Sequence, residues 1–596
     1  MDPVDPRSEY SSRLAGWNRR ATEYQQTFVH LGNVRLGIAG VAAVMAWAAF
    51  AREAFSGWWL LAPLALFVAV AAYHERIARR QQFAQRAVAY YERALARLDG
   101  RWAGAGSTGD RFKDPAHVYA EDLDLFGRGS LFELICSART AAGERKLADW
   151  LRSHASVEEV RARQAAVSEL RSRVQLREDL ALLGEDVRAS VHANAISAWG
   201  AGPPVELFAG SRWLALFAAC GTVAAFLAFM AHWAGFRPFG VMILADLAIS
   251  ALMRRPVLQI IARADTPAQD LQILALLLAR LESEPFETPR LKSLQSAFLA
   301  SGAPASQRIA RLQRWMEILD SSDHLVVRMI GLFVLWREQA ALGIERWRRA
   351  SGPQIRAWIE AVAEFEALSS FATFAFERPC CTFAEHVANG PLIEGQALRH
   401  PLIDPRVCVP NDVRLGHDRR LLIVSGSNMS GKSTLLRAIG LNTVLAWAGA
   451  PVTAARLRVS PLAVGASIRV LDSLQEGRSR FYTEITRLRQ IVTLASGDRP
   501  VLFLLDELLS GTNSHDRRIG AEAVVRALLQ SGAIGLITTH DLALAAIAQT
   551  LDGEAVNVHF DDRIENGRIS FDYILKPGVV EHSNALELMR AVGLEV

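Results

Sequence analysis

The hydrophobic pattern divides the chain into three kinds of sequence. The first kind is long and uncharged. Residues 36–51 carry no charge between Arg35 and Arg52, and after Arg52-Glu53 a second uncharged run spans 54–73. Trp58, Trp59 and Tyr73 lie near the ends of that run, where amphipathic aromatics favour a membrane interface. Runs of this length predict a transmembrane hairpin over 34–74; the first is slightly short, and Gly32 and Val34 can extend it. A second hairpin is predicted over 212–253. Residues 213–236 are uncharged apart from His232, Arg237-Pro238 mark the turn, and 239–253 form a weaker run containing Asp246. An ionisable group at that depth needs a polar partner. Arg19, Arg20, Arg35, Arg76, Arg79, Arg80, Arg212, Arg254 and Arg255 flank the runs. By the positive-inside rule these flanks are cytoplasmic and both turns face out. The expectation is a multi-pass protein of the cell membrane with four spans.

The second kind is amphipathic. Residues 75–211 and 254–390 place apolar side chains at helical spacing among abundant Arg and Glu, with little Gly or Pro. Trp315, Trp336, Trp347 and Trp358 read as helix packing, and Arg346-Trp347-Arg348-Arg349 as a solvated basic face. Residues 1–33 are polar and charged, which excludes a secretory signal. The third kind begins near 391. Short aliphatic and β-branched runs broken by Gly, Pro, Asn and Asp alternate with helical segments to 596, the pattern of an α/β domain with a mainly parallel sheet.

Composition adds little. The 596 residues leave room for about four domains. A net charge of +4 is too weak on this length to argue for nucleic acid. The five cysteines are scattered, without a metal-binding or disulfide spacing.

The candidate chemistry lies in the α/β region. The strand-like run 421–424 leads into Gly426-Ser427-Asn428-Met429-Ser430-Gly431-Lys432-Ser433-Thr434, and a helical stretch follows. Strand, glycine loop and helix is the context a phosphate-binding loop requires. Backbone N–H groups curl around phosphate oxygens, Lys432 is expected to reach the β- and γ-phosphates of ATP, and the Ser433 hydroxyl to ligate Mg²⁺. A second aliphatic run, 501–505, ends in Asp506-Glu507. Asp506 is expected in the Mg²⁺ shell, with Glu507 polarising the attacking water. A third, 534–537, ends in Thr538-Thr539-His540-Asp541, where His540 is a candidate γ-phosphate sensor or water-orienting group. Polar loops at Asp472–Glu484 and Leu508–Asp516 flank these elements and could complete a neighbouring subunit's site, making ATP a dimer switch.

These motifs resemble the MutS family of DNA mismatch-repair ATPases. GSNMSGKST at 426–434, DELLSGTNSHDR at 506–517, TTHD at 538–541 and SRFYTEI at 479–485 are similar to its nucleotide-site motifs. LRHPLI at 398–403, VPNDV at 409–413 and GVVEHSNALELMRAVGL at 578–594 resemble segments that flank them. Residues 131–170 look like the start of the family's helical core. The resemblance implies an ABC/MutS-like P-loop ATPase domain preceded by an all-α core and lever region, here interrupted by transmembrane hairpins. It implies ATP and Mg²⁺ as cofactors, a homodimer through the ATPase domains, and DNA as partner. It also implies that Asn513 and Ser514 act in trans on the opposing subunit's triphosphate. A membrane hairpin stands where the family carries its mismatch reader, and no dimerisation tail is expected after Val596, so mismatch recognition is not among the implied roles. The alternative is an ATP-driven membrane machine or scaffold in which nucleotide dimerisation acts on the hairpins. Transporters of the ATP-binding-cassette type carry an LSGGQ-type motif before the acidic strand; here the Leu-Ser-Gly at 509–511 follows it.

Overall fold

The structure is a computed structural model describing residues 5–190, 192–205, 210–299, 302–321, 331, 334–469, 480–509, 511–540, 542–551, 553–565 and 568–580. The chain forms two compact units, one of residues 1–136, 151–160 and 373–596, the other of 137–150 and 161–372.

In the first unit, the 46-residue helix Pro6–Ala51 and the helix Leu61–Leu98 pack antiparallel. Asp5 caps the first by accepting the Ser8 N–H at 2.9 Å. At 1.5 Å per residue a helix of that length is about 70 Å long, more than twice a bilayer's hydrocarbon core. The polar segment before the apolar run is thus helical too, and pairs with 75–98 as a continuation of the hairpin. Trp17 meets Phe83 at 5.8 Å, and Tyr10 meets Tyr91 at 5.6 Å and Phe376 at 5.5 Å. Glu377 receives three hydrogen bonds from Arg97, at 2.5, 2.9 and 3.1 Å, and one from the Tyr10 hydroxyl at 3.3 Å. This partly buried ion pair joins the polar end of the hairpin to the segment that leads into the α/β domain.

The second unit is helical. Ser211–Met230 and Phe236–Glu282 form the second apolar pair. Its turn falls at 231–235, ahead of the Arg237-Pro238 expected from sequence. Pro238 sits in the first turn of the second helix, where its missing N–H costs nothing. Asp246 has its polar partner: Thr222 donates to it at 2.5 Å. Ala305–Ser321 and Trp336–Ser351 pack on the long helix, and Leu271, Leu274, Ile309, Leu312 and Ile344 of these three helices are buried. Trp347 and Trp358 are buried, and the Trp336 and Trp347 N–H groups donate to Ile318 O and Arg308 O, both at 2.6 Å, as packing residues do.

Among the described residues, four helices, two in each pair, are long and apolar enough to cross a membrane. No more than 17% of the apolar window of any of them is buried, so they are not core helices of their own units.

The α/β domain holds two sheets. The smaller has the order β1-β5-β2-β3, from β1 (Glu385–His386), β2 (Ile393–Leu398), β3 (Asn411–Leu415) and β5 (Arg456–Val459). The larger joins β4 (Leu421–Ser425), β6 (Ala463–Ser467), β7 (Val501–Leu505), β8 (Ile534–Thr539), β9 (Ala555–Glu565) and β10 (Arg568–Pro577) in the order β10-β9-β4-β8-β7-β6. All its pairings are parallel except β9 with β10. β4, β6, β7 and β8 are buried along their whole length, as parallel strands covered on both faces must be. Phe503, Leu505 and Ile537 pack with Leu488, Ile491, Val525 and Leu528 of the helices Arg480–Ala495 and Ser514–Gln530. The other face is covered by Lys432–Ala448, where a Cβ on Gly440 would lie 2.6 Å from Leu123 and 2.8 Å from Leu504.

Strand spacing makes one glycine indispensable. A Cβ on Gly535 of β8 would lie 2.2 Å from Phe503 O and 2.4 Å from the Phe503 ring. Gly535→Ala should therefore destabilise the domain by about 1–3 kcal/mol or more through overpacking. Thermal unfolding of the purified chain reads this out; an unchanged midpoint would mean the strands separate freely at that point.

Candidate nucleotide site

The order β4-β8-β7 brings three motif-bearing strand ends to one edge of the sheet, where open α/β sheets bind ligands. Gly426 follows β4 with φ +150°, and Gly431 precedes the helix with φ +106°. A Cβ on Gly426 would stand 2.8 Å from the Ser430 hydroxyl and 3.2 Å from Phe560 O; one on Gly431 would stand 3.3 Å from the Tyr573 ring. Both positions need glycine for backbone reasons as well as space. Asn428, Met429 and Thr434 are exposed, and Met429 adopts a left-handed φ of 70°. Ser433 is half-buried in the first turn of the helix.

Lys432 is buried and donates to Gly426 O and Ser427 O, both at 2.8 Å. Burial lowers its pKa, while the charges of Glu507 and Asp506 raise it. The ammonium thus lies across the loop, within the field of the acidic pair. The Ser427 and Ser430 hydroxyls are buried with no hydrogen-bond partner among the described residues. Orphaned hydroxyls at a helix N-terminus suit phosphate oxygens, and with the glycine cradle they meet the fit that a nucleoside triphosphate demands.

Asp506 is held from two sides. Its N–H donates to Ser467 O at 2.9 Å, and its carboxylate accepts the Thr538 hydroxyl. The same Thr538 oxygen accepts the Glu507 N–H at 3.0 Å. One threonine near the end of β8 thereby holds the Asp506 carboxylate and the Glu507 backbone just after β7. Glu507 adopts a left-handed φ of 46°, a strained conformation for a residue with a Cβ. Its carboxylate lies 3.7 Å from Nδ1 of His540, whose side chain is about half exposed.

Asn513 and Ser514 open the next helix. The Asn513 side chain accepts the Asp516 N–H at 2.9 Å and donates to the Asp516 carboxylate at 2.7 Å, so it caps its own helix. Of the polar loop at Asp472–Glu484, residues 480–484 form the start of a helix, and Glu484 accepts the Leu509 N–H at 2.5 Å. Asp472, Ser473, Gly477, Ser479, Ser510 and Asp541 lie outside the described residues, as does 581–594 of the C-terminal segment. Glu385 in β1 pairs with Arg456 at 2.8 and 2.9 Å.

Three supporting residues were not read from sequence as such. Thr538 is one. The second is Asn411, whose amide donates to Tyr573 O at 2.9 Å and accepts the Leu575 N–H at 2.7 Å, holding Tyr573 over Gly431. The third is the fully buried Asn442, which donates to Arg399 O at 2.9 Å and accepts the Thr453 N–H at 2.7 Å, pinning the loop's helix to the 398–403 segment. Asn411 and Arg399 lie inside the two upstream segments singled out above, but side-chain to main-chain bonds of this reach leave no periodic trace.

Residues 422–595 match the family model described as MutS domain V. The chain is 35% identical over 271 residues to "DNA mismatch repair protein MutS 2" of Halobacterium salinarum, covering 44% of this chain and 29% of that protein. It is 36% identical over 203 residues to "Endonuclease MutS2" of Thermomicrobium roseum, covering 33% and 25%. It is 30% identical over 286 residues to "DNA mismatch repair protein MutS" of Geobacillus thermodenitrificans, covering 47% and 30%. The chain thus matches less than a third of the length of each of these relatives.

Proposed function

Since this chain belongs to the MutS family through its C-terminal ATPase domain, we propose that it is a membrane-anchored ATPase, in which ATP closes a homodimer and the closure is coupled to DNA. The observation that carries the nucleotide part is the meeting of Lys432, Asp506, Glu507 and His540 at one sheet edge, around a loop with orphaned hydroxyls. Lys432 exchanges its two loop carbonyls for β- and γ-phosphate oxygens. Ser433 and Asp506 would hold Mg²⁺, which when bound offsets the charge that develops on the phosphates. Glu507 orients and deprotonates the attacking water, and His540, beside it, reads the γ-phosphate end. Asn513 and Ser514 face the partner's triphosphate across the dimer.

The membrane part rests on four apolar helices left bare by their own units. With both polar ends cytoplasmic, the turns at 52–56 and 231–235 face out. A second reading has an observation of its own. The first hairpin belongs to the same compact unit as the ATPase domain and is tied to it through Arg97 and Glu377. Nucleotide closure could therefore act on the hairpin rather than on DNA.

ATP hydrolysis by the full chain, measured with and without duplex, branched and mismatched DNA at low salt, separates the two. Phosphate contacts are strongest there, so a chain that binds no DNA at low salt would eliminate the first reading and leave the second. Topology reporters inserted in the two turns should be active only on the outer side; activity on the cytoplasmic side would overturn the anchoring.

A further inference from the structure

In the helical unit, a cavity of about 540 Å³ lies between Ser211–Met230, Ala305–Ser321 and Trp336–Ser351. Arg212, Arg308, Arg311 and Arg346 line it and, among the described residues, no Asp or Glu does. Four arginines line one cavity, and the charge of Arg311 is felt at Arg308, so the arrangement suits an anion. Arg308 is 7% exposed and fixed in place: it donates to the Ser351 hydroxyl at 2.8 and 3.1 Å and to Ala350 O at 3.1 Å. Burial and the neighbouring Arg311 both pull its pKa down, as they do for a cation with no carboxylate to offset it. Among the described residues, Arg212, Arg311 and Arg346 enter no ion pair. The contrast with their neighbours is informative. Glu345 takes Arg348 at 2.8 Å and Arg349 at 3.0 Å, the residues three and four positions on, and leaves Arg346 to the cavity.

The position of the cavity says which anion. Arg212 is the last charge before the uncharged helix, and Leu216, one turn further into the apolar run, lines the same cavity. Trp213 and Phe217, stacked at 6.0 Å, are exposed on that helix. A basic cavity whose wall continues into a membrane span fits a ligand with an anionic head and an apolar tail. We propose that this cavity binds the headgroup of an anionic glycerophospholipid from the cytoplasmic leaflet, its phosphate among Arg212, Arg308, Arg311 and Arg346 and its chains along Leu216. A free phosphate has no use for the apolar wall. A duplex displays its phosphates on a broad convex surface rather than at the end of a slender group. The inference rests on the membrane reading of Ser211–Met230.

The test uses the full chain, delipidated in a neutral detergent and titrated with short-chain phosphatidylglycerol and phosphatidylcholine. Phosphatidylglycerol should bind in clear preference. Near a membrane surface each Arg is worth about 1 kcal/mol, so the triple variant Arg212→Ala/Arg311→Ala/Arg346→Ala should weaken it on the order of 100-fold. Arg346→Gln alone, which disturbs the fold least, should weaken it roughly fivefold. Arg254→Ala/Arg255→Ala, a basic pair outside the cavity, should change nothing. Equal affinity for the two lipids, or a triple variant that binds like the parent, overturns the proposal. So does complete displacement by millimolar inorganic phosphate, which assigns a free-anion site, or by a DNA duplex, which assigns a DNA contact. Alkaline carbonate extraction keeps the two ideas apart. A chain released from membranes overturns the membrane reading and this inference with it; a retained chain without lipid preference overturns only the cavity's assignment.

Discussion

Lys432→Ala should abolish measurable ATP binding by the full chain. The ammonium is the one cation held inside the loop, 2.8 Å from two of its carbonyls and within the field of Asp506 and Glu507. In the bound state it exchanges those carbonyls for charged phosphate oxygens. Hydrogen bonds to charged groups contribute about 1.5–3 kcal/mol each. Losing two of them weakens binding by roughly 100-fold or more. Alanine has a second effect, because Gly426 O and Ser427 O lose the donor that closes the loop over them. Lys432→Arg is a poor rescue: Lys432 is buried, and the planar guanidinium is bulkier than the ammonium and not an interchangeable point charge. Titration with a fluorescent ATP analogue reads this out, with the thermal midpoint as the control for folding. Binding within about threefold of the parent would show that the loop at 426–434 is not the cradle.

The site was legible in sequence to the extent that its parts are local. The aliphatic run 421–424, the glycines at 426 and 431 and the helix after Lys432 are contiguous, and each constrains the next through backbone sterics and helix polarity. Asp506-Glu507 and His540 could be placed at strand ends because buried parallel strands read as unbroken aliphatic runs. The sheet order was not local. Only the pairing of β8 between β4 and β7 lets Thr538 reach Asp506 and Glu507. Asn411 reaches Tyr573 across 162 positions of sequence for the same reason. The hairpins show a different limit. Their apolar runs were plain, but composition cannot say where a helix stops when polar residues continue it. Pro6–Ala51 therefore runs unbroken through a segment that reads as a polar tail, held by Trp17, Tyr10 and their partners on the opposite helix. Arg346 shows the reverse case. A basic run reads as a solvated face, yet the spacing from Glu345 already separates it from Arg348 and Arg349.

Glu507→Gln should retain ATP binding and lose turnover by about 10²–10⁴-fold, the range a positioned general base contributes. The amide is close in shape to the carboxylate, and the groups that place residue 507 are untouched. Its N–H still donates to Thr538, and its left-handed backbone suits Gln as well or as poorly as Glu. What changes is chemical: an amide cannot take a proton from water, and the negative charge facing Lys432 and His540 is gone. Removing that charge also takes one anion away from the incoming triphosphate, so affinity should hold or rise. If ATP closes a dimer, the variant should accumulate in the closed form with ATP, visible as a shift in mass by light scattering that the parent shows only transiently. Asp506→Asn separates the roles, because it weakens the Mg²⁺ shell and should lower binding and turnover together. Normal turnover in Glu507→Gln would reject the assignment of the base and shift it to His540, whose Nδ1 lies 3.7 Å from the Glu507 carboxylate.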